Sequence, residues 1–178
     1  MPDIFAIHRL VWVALMAALI AIGAFISIPL PFTPVPLTLQ DMFVLLAGLL
    51  LGPKRGFMAV LLYIAAGSIG LPVFAGGKAG VGVLLGPTGG YLVGYLLAVV
   101  IYAAAGRQPF WLGFLICAAG ALFLLALGSL RLAYVLDIPT VQALAGGMLP
   151  FLPGSAIKIF CALTISKILK KNKLFPHD

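Results

Sequence analysis

Glutamate is absent from this 178-residue chain, and its four acids are Asp3, Asp41, Asp137 and Asp178. Charged residues make up 8% of the sequence against 63% hydrophobic ones, with a mean hydropathy of +1.23. That balance excludes an ordinary soluble domain. Histidine occurs only near the ends, at His8 and His177, and there is no carboxylate pair and no Ser/His/Asp set. The Gly-x-x-x-x-Gly-Lys-Ser/Thr phosphate loop is missing, so the chain has no ATP motif of its own. Cys117 and Cys161 lie in different apolar segments without ligand spacing and read as small buried hydrophobes. These absences argue against an enzyme, a metal site or a resident cofactor.

What the chain does have is a series of long apolar segments with cations at their ends. A net charge of +7 can signal nucleic acid, but this placement is the positive-inside pattern of a polytopic membrane protein, and no nucleic-acid partner is expected. The length leaves room for about six spans and little else. One membrane domain over residues 1–178 is expected, with helices roughly over 10–30, 38–52, 56–70, 88–105, 110–135 and 146–168. An outer glycine-rich loop covers 71–87. The first segment is too long for the apolar core of a signal peptide, about 7–15 residues, and reads as a retained helix. Within it Ala14, Ala17, Ala18, Ala21 and Ala24 recur at three- and four-residue steps, a face that lets another helix approach closely in lipid. Packing within the chain is the alternative use. Pro29, Pro31, Pro34 and Pro36 then break the helix, and Thr38 or Asp41 is placed to cap the next one. Gly90 and Gly94 form a close-packing face on the fourth helix.

Counting Lys and Arg on this six-helix pattern puts Arg9, Lys54, Arg55, Arg107, Lys167, Lys170, Lys171 and Lys173 on one side. Lys78, Arg131 and Lys158 fall on or near the other. The bias places both termini in the cytoplasm and the glycine-rich stretch outside. Dense glycine there lets the backbone turn sharply and approach a ligand, and irregular backbone at membrane depth belongs where it lines a cavity.

Lys158 stands out among the candidate binding residues. It lies one turn into the last helix among apolar neighbours, where a cation is costly unless partnered, so it reads as functional; snorkelling to the interface is the alternative. Ser155, at i−3, shares its face, and the amides of the helix start favour an anion. Lys78 in the loop, and Gln40, Thr88 and Tyr91 at helix starts, are further polar candidates, with solvation or capping as their structural uses. Phe74 and Phe151 are candidate apolar walls. Arg131 is either a pocket cation or an interfacial anchor.

Four stretches carry a family resemblance: Pro-Phe-Thr-Pro-Val-Pro-Leu-Thr-Leu-Gln (31–40), Leu-Pro-Val-Phe-Ala-Gly-Gly (71–77), Leu-Leu-Gly-Pro-Thr-Gly-Gly-Tyr-Leu (84–92) and Leu-Pro-Phe-Leu-Pro-Gly-Ser-Ala-Ile-Lys (149–158). From about residue 10 to 170 the chain resembles BioY proteins, the biotin-binding S components of energy-coupling-factor (ECF) transporters. The resemblance implies an all-α integral membrane protein of six helices in the plasma membrane of a prokaryote, capturing biotin at its outer face. It also implies a transmembrane coupling subunit and two ATPase subunits as partners, with ATP used by those subunits and no cofactor on this chain. The family's small-residue contacts to the coupling subunit map onto the Ala14/Ala18 and Ala17/Ala21 pairs, and Lys158 matches its binding lysine. Two positions depart from the family pattern. Ser155 stands where the family usually has Asp, and the chain carries Arg131 where a Trp is common nearby. Both changes make the expected pocket more positive, so a biotin-like carboxylate stands beside biotin as a possible ligand. A membrane assembly protein without transport activity is the reading from another class.

Overall fold

The computed structural model describes residues 4–172; Asp3, Lys173, His177 and Asp178 lie outside them. Helix α1 spans Ile4–Phe25, followed by strands β1 (Ser27–Leu30) and β2 (Thr33–Thr38) and by α2 (Gln40–Ser68). Short α3 (Val81–Leu85) precedes α4 (Gly89–Ala105) and α5 (Phe110–Leu136). Then come α6 (Thr140–Gly147), a 3-10 turn over Leu149–Phe151 and α7 (Leu152–Lys171). The stretches Ile7–Phe25, Gln40–Ser68, Phe110–Leu136 and Thr140–Lys171 are long and apolar enough to cross a membrane, and α4 is a shorter apolar helix.

The 29 residues of α2 are two helical arms rather than one rod. Gly52 adopts φ 77° and ψ −178°, a conformation essentially reserved for glycine, and Pro53 then opens a new first turn, where its missing amide costs nothing. The arms fold back on each other. A Cβ at Gly56 would lie 3.0 Å from the Ala47 carbonyl oxygen, and Gln40 bonds Tyr63 across the pair. On a straight helix Gln40 and Tyr63 would be about 34 Å apart. The expected helices over 38–52 and 56–70 are therefore present as arms 40–51 and 53–68.

The first helix ends five residues earlier than expected, because residues 27–38 form a β-hairpin. Ser27 pairs with Thr38, Ile28 with Leu37 and Leu30 with Thr33, with an irregularity between Ile28 and Leu30. A two-stranded ribbon has two free edges, so prolines that cannot donate are tolerated on it. The 71–87 stretch is not all loop: Phe74 and Lys78 form a bridge, glycines at 70, 76, 77 and 80 take positive φ, and α3 follows. The expected last helix over 146–168 is also divided. Residues 146–151 belong to the end of α6 and the 3-10 turn, and the continuous helix begins at Leu152 with Pro153 in its first turn. No side chain caps α2; its N-cap is Leu39, and Thr38 and Asp41 are used otherwise.

The helices pack chiefly as α1 on α2, α2 on α4 and α4 on α5, with α7 against α2 and α5. The α4–α5 contact is close because a Cβ at Gly90 would sit 2.4 Å from Arg131 Cβ, and one at Gly94 2.6 Å from a Leu124 methyl, as their close-packing role requires. A main core of Ile20, Val44, Leu49, Val60, Tyr63, Tyr102 and Leu163 fills the centre. A second cluster of Val35, Tyr91, Leu125, Leu132, Ala143 and Phe151 ties the hairpin and α6 to the helix ends. Exposed apolar side chains such as Trp111, Leu115 and Val93 ring the outside, as expected of a surface solvated by lipid.

On α1 the alanine face divides in two. Ala17 and Ala24 are buried, Ala21 is half-buried, and Ala14 and Ala18 are exposed. Adjacent helical residues diverge by about 100°, so 17 and 18 cannot share a face.

Candidate functional site

Beneath the hairpin and the 71–87 stretch lies a cavity with about 890 Å³ of free space, its mouth included. That is the size range of small-molecule sites. The two α2 arms, α4 and α7 supply its walls. Lys158, on the first turns of α7, is its electrostatic centre. Its Nζ donates to the Thr38 carbonyl at 2.6 Å and to Asp41 Oδ1 and Oδ2 at 2.7 and 3.0 Å. Both partners lie on the α2 side: β2 ends at Thr38, and Asp41 occupies the first turn of α2. The Lys158 and Asp41 side chains keep only 12% and 19% of their exposure. A pair so covered is favourable only when its hydrogen bonds are well made, as they are here.

This corrects the reading of Lys158 as a cation without an acid. Ser155 stands one turn away and carries no charge, but the acid arrives from α2, 117 residues distant in sequence. Asp41 also sits where the positive end of a helix dipole favours a carboxylate. The sequence did contain a signal: Asp41 is the sole acid between Asp3 and Asp137, and an acid inside apolar helices needs a cation.

Around the ion pair stand Gln40, whose Nε2 donates to the Tyr63 hydroxyl at 3.0 Å, with Ser155 and Thr88. Phe74, Tyr91, Tyr95, Tyr102 and Phe151 supply aromatic surface. Phe74 is packed edge-on against Tyr63 at 5.6 Å, and Tyr91 commits its hydroxyl to the Gly147 carbonyl at 2.7 Å, so both present ring rather than polar groups. Lys78 is exposed and lines the mouth. Seven of the eight expected residues thus converge: Lys158, Ser155, Lys78, Thr88, Tyr91, Gln40 and Phe74. Arg131 does not. Its guanidinium donates to the Leu85 carbonyl at the end of α3 and stacks 5.6 Å over Tyr134, outside the cavity lining. Besides Asp41, sequence reasoning missed Tyr95 and Tyr102, whose helical spacing with Tyr91 resembles ordinary core.

The cavity can bind: it offers donors, acceptors and ring faces in a desolvated recess. It holds no nucleophile–base set, and no group of His, Cys, Asp or Glu that could hold a metal is found among the described residues. Fold and site together define a multi-pass helical membrane protein with a ligand pocket at one end. A family model described as "BioY family" matches residues 1–174, and the chain belongs to that family. It is 41% identical over 160 residues to a probable biotin transporter BioY of Pyrococcus horikoshii, covering 90% of this chain and 94% of the relative. The biotin transporter BioY of Thermotoga maritima is 44% identical over 167 residues, 92% of this chain and 96% of that one. Among solved structures, the S-component for biotin from an ECF-type ABC transporter superposes with a TM-score of 0.88 at 33% identity, covering 96% of this chain and 95% of the other.

Proposed function

We propose that this chain is the substrate-capture subunit of an ECF-type importer in a prokaryotic plasma membrane, binding biotin in the cavity described above. The Asp41–Lys158 pair carries the reading. Biotin's ureido ring offers two N–H donors and one carbonyl, and an adjacent carboxylate and ammonium complement both. In this pose Asp41 accepts from the ureido N–H, Lys158 and Ser155 donate to the carbonyl, and the aromatic walls cover the ring system. The carboxylate tail points to the mouth, toward Lys78. Thr88 and Gln40 fix the polar rim, and Phe74 and Tyr91 exclude water.

Capture is not catalysis, and delivery needs partners. The exposed Ala14 and Ala18 form the surface for a transmembrane coupling subunit, which links the chain to two ATPase subunits that consume the ATP. Six crossings follow if each arm of α2 counts as one, with both termini in the cytoplasm.

Competition against labelled biotin on purified chain tests the pose. Biotin methyl ester keeps the ureido ring and loses the carboxylate charge; it should compete within about tenfold of biotin, a loss near 1.4 kcal/mol. Lipoate keeps a sulfur ring and the carboxylate chain but lacks the ureido group, and should fail. Competition by lipoate and none by the ester would instead make the ligand a biotin-like carboxylate held at Lys158.

A further inference from the structure

A second cavity opens at the opposite end of the bundle, where the α2 bend, the α4–α5 turn and the end of α7 meet. Its lining includes Gly52, Arg55, Arg107 and Lys170, and no acid is among the lining residues. Lys170 Nζ donates to the Gly106 carbonyl at 2.6 Å, which holds the ammonium over the turn beside Arg107. Three cations on one recess without an acid among its lining define a site for an anion.

The rest of the lining says what kind of anion. Val100, Ala103, Ala104 and Arg107 fall at helical steps of three and four, so one stripe of α4 runs from apolar to cationic. Val100 and Ala104 are exposed on the outside of the bundle, so the recess opens sideways onto the membrane. The apolar part of the stripe suits an acyl chain, and the cationic end suits a phosphate, which guanidinium groups bind in bidentate fashion. We propose that this recess holds the phosphate headgroup of an anionic phospholipid, with an acyl chain lying along Val100 and Ala104. Basic pockets between membrane helices are general headgroup sites. Other cations at the same end, Lys54 and Lys171, do not line the recess and serve as controls. The inference is independent of what the other cavity binds.

Native mass spectrometry of the full chain, released from micelles containing equal phosphatidylglycerol and phosphatidylcholine, tests it. The wild type should retain one phosphatidylglycerol in clear preference to phosphatidylcholine. Arg107→Gln with Lys170→Gln should weaken that preference roughly thirtyfold, while Lys54→Gln with Lys171→Gln should leave it. Should the first pair fail to fold, Val100→Trp decides: it fills the apolar wall, keeps every charge, and should also reduce lipid retention. No headgroup preference in the wild type, or equal loss in both charge pairs, would overturn the proposal. Retention of soluble glycerophosphate as tight as that of the lipid would overturn the lipid assignment, as would undiminished retention by Val100→Trp.

Discussion

Lys158 spends its donors on Thr38 and on both oxygens of Asp41, so the ion pair is structural before it is functional. Removing one partner leaves the other charge covered and unmatched, which costs up to about 3 kcal/mol. Lys158→Met and Asp41→Asn should each lower the melting temperature in detergent and each abolish high-affinity binding. The double variant should recover most of the stability while remaining defective in binding, because neutral neighbours tolerate each other but offer biotin no charge-assisted contact. Independent, additive losses of stability would show that the two side chains do not act as a pair. Lys158 was legible in the sequence because a cation among Ile157, Ile159 and Phe160 demands an explanation. Its partner was not, because helical periodicity reports on neighbours along one helix and says nothing about contacts between α2 and α7. Arg131 shows the reverse failure: its position near the pocket end of α5 was legible, but its rotation toward Leu85 and Tyr134 depended on where α3 would lie.

At the scale of elements, α1 divides its small residues between two tasks. Ala17 and Ala24 let α1 pack inward, whereas Ala14 and Ala18 leave a shallow exposed strip flanked by Val11 and Leu15. Replacing Ala14 and Ala18 with Trp should block close helix approach, abolishing uptake in cells that express the coupling module while leaving biotin binding by the purified chain intact. A parallel fall in binding would place those alanines in the internal packing of the fold. The apolar segments themselves were readable from length and hydropathy, and Gly52-Pro53 announced the bend in α2. The β-hairpin was not readable. Four prolines in ten residues argue against strands, and only the free edges of a two-stranded ribbon make them acceptable. The start of α7 at Leu152 was blurred for a similar reason: Pro150 and Pro153 mark a helix start twice, and the 3-10 turn absorbs the first.

For the whole molecule, the ion-pair cavity and the basic recess lie at opposite ends of one bundle, which gives the chain a direction across the membrane. On a background with Cys117 and Cys161 replaced by Ala, a cysteine introduced by Gln108→Cys lies at the exposed α4–α5 turn. It should react with an impermeant thiol reagent only after cells are opened; labelling of intact cells would invert the proposed orientation. Family membership and the general bundle were legible because the proline- and glycine-rich stretches that carry the resemblance are the same ones that build the cavity wall. The central claim is that this bundle captures biotin through Lys158. Calorimetric titration of biotin into the purified chain measures it most directly. Saturable binding at one site is expected, with Lys158→Met weakened roughly ten- to a hundredfold, the loss of a charge-assisted hydrogen bond worth about 1.5–3 kcal/mol. Absence of binding to the folded wild type, or unchanged affinity in a folded Lys158→Met chain, would contradict the account.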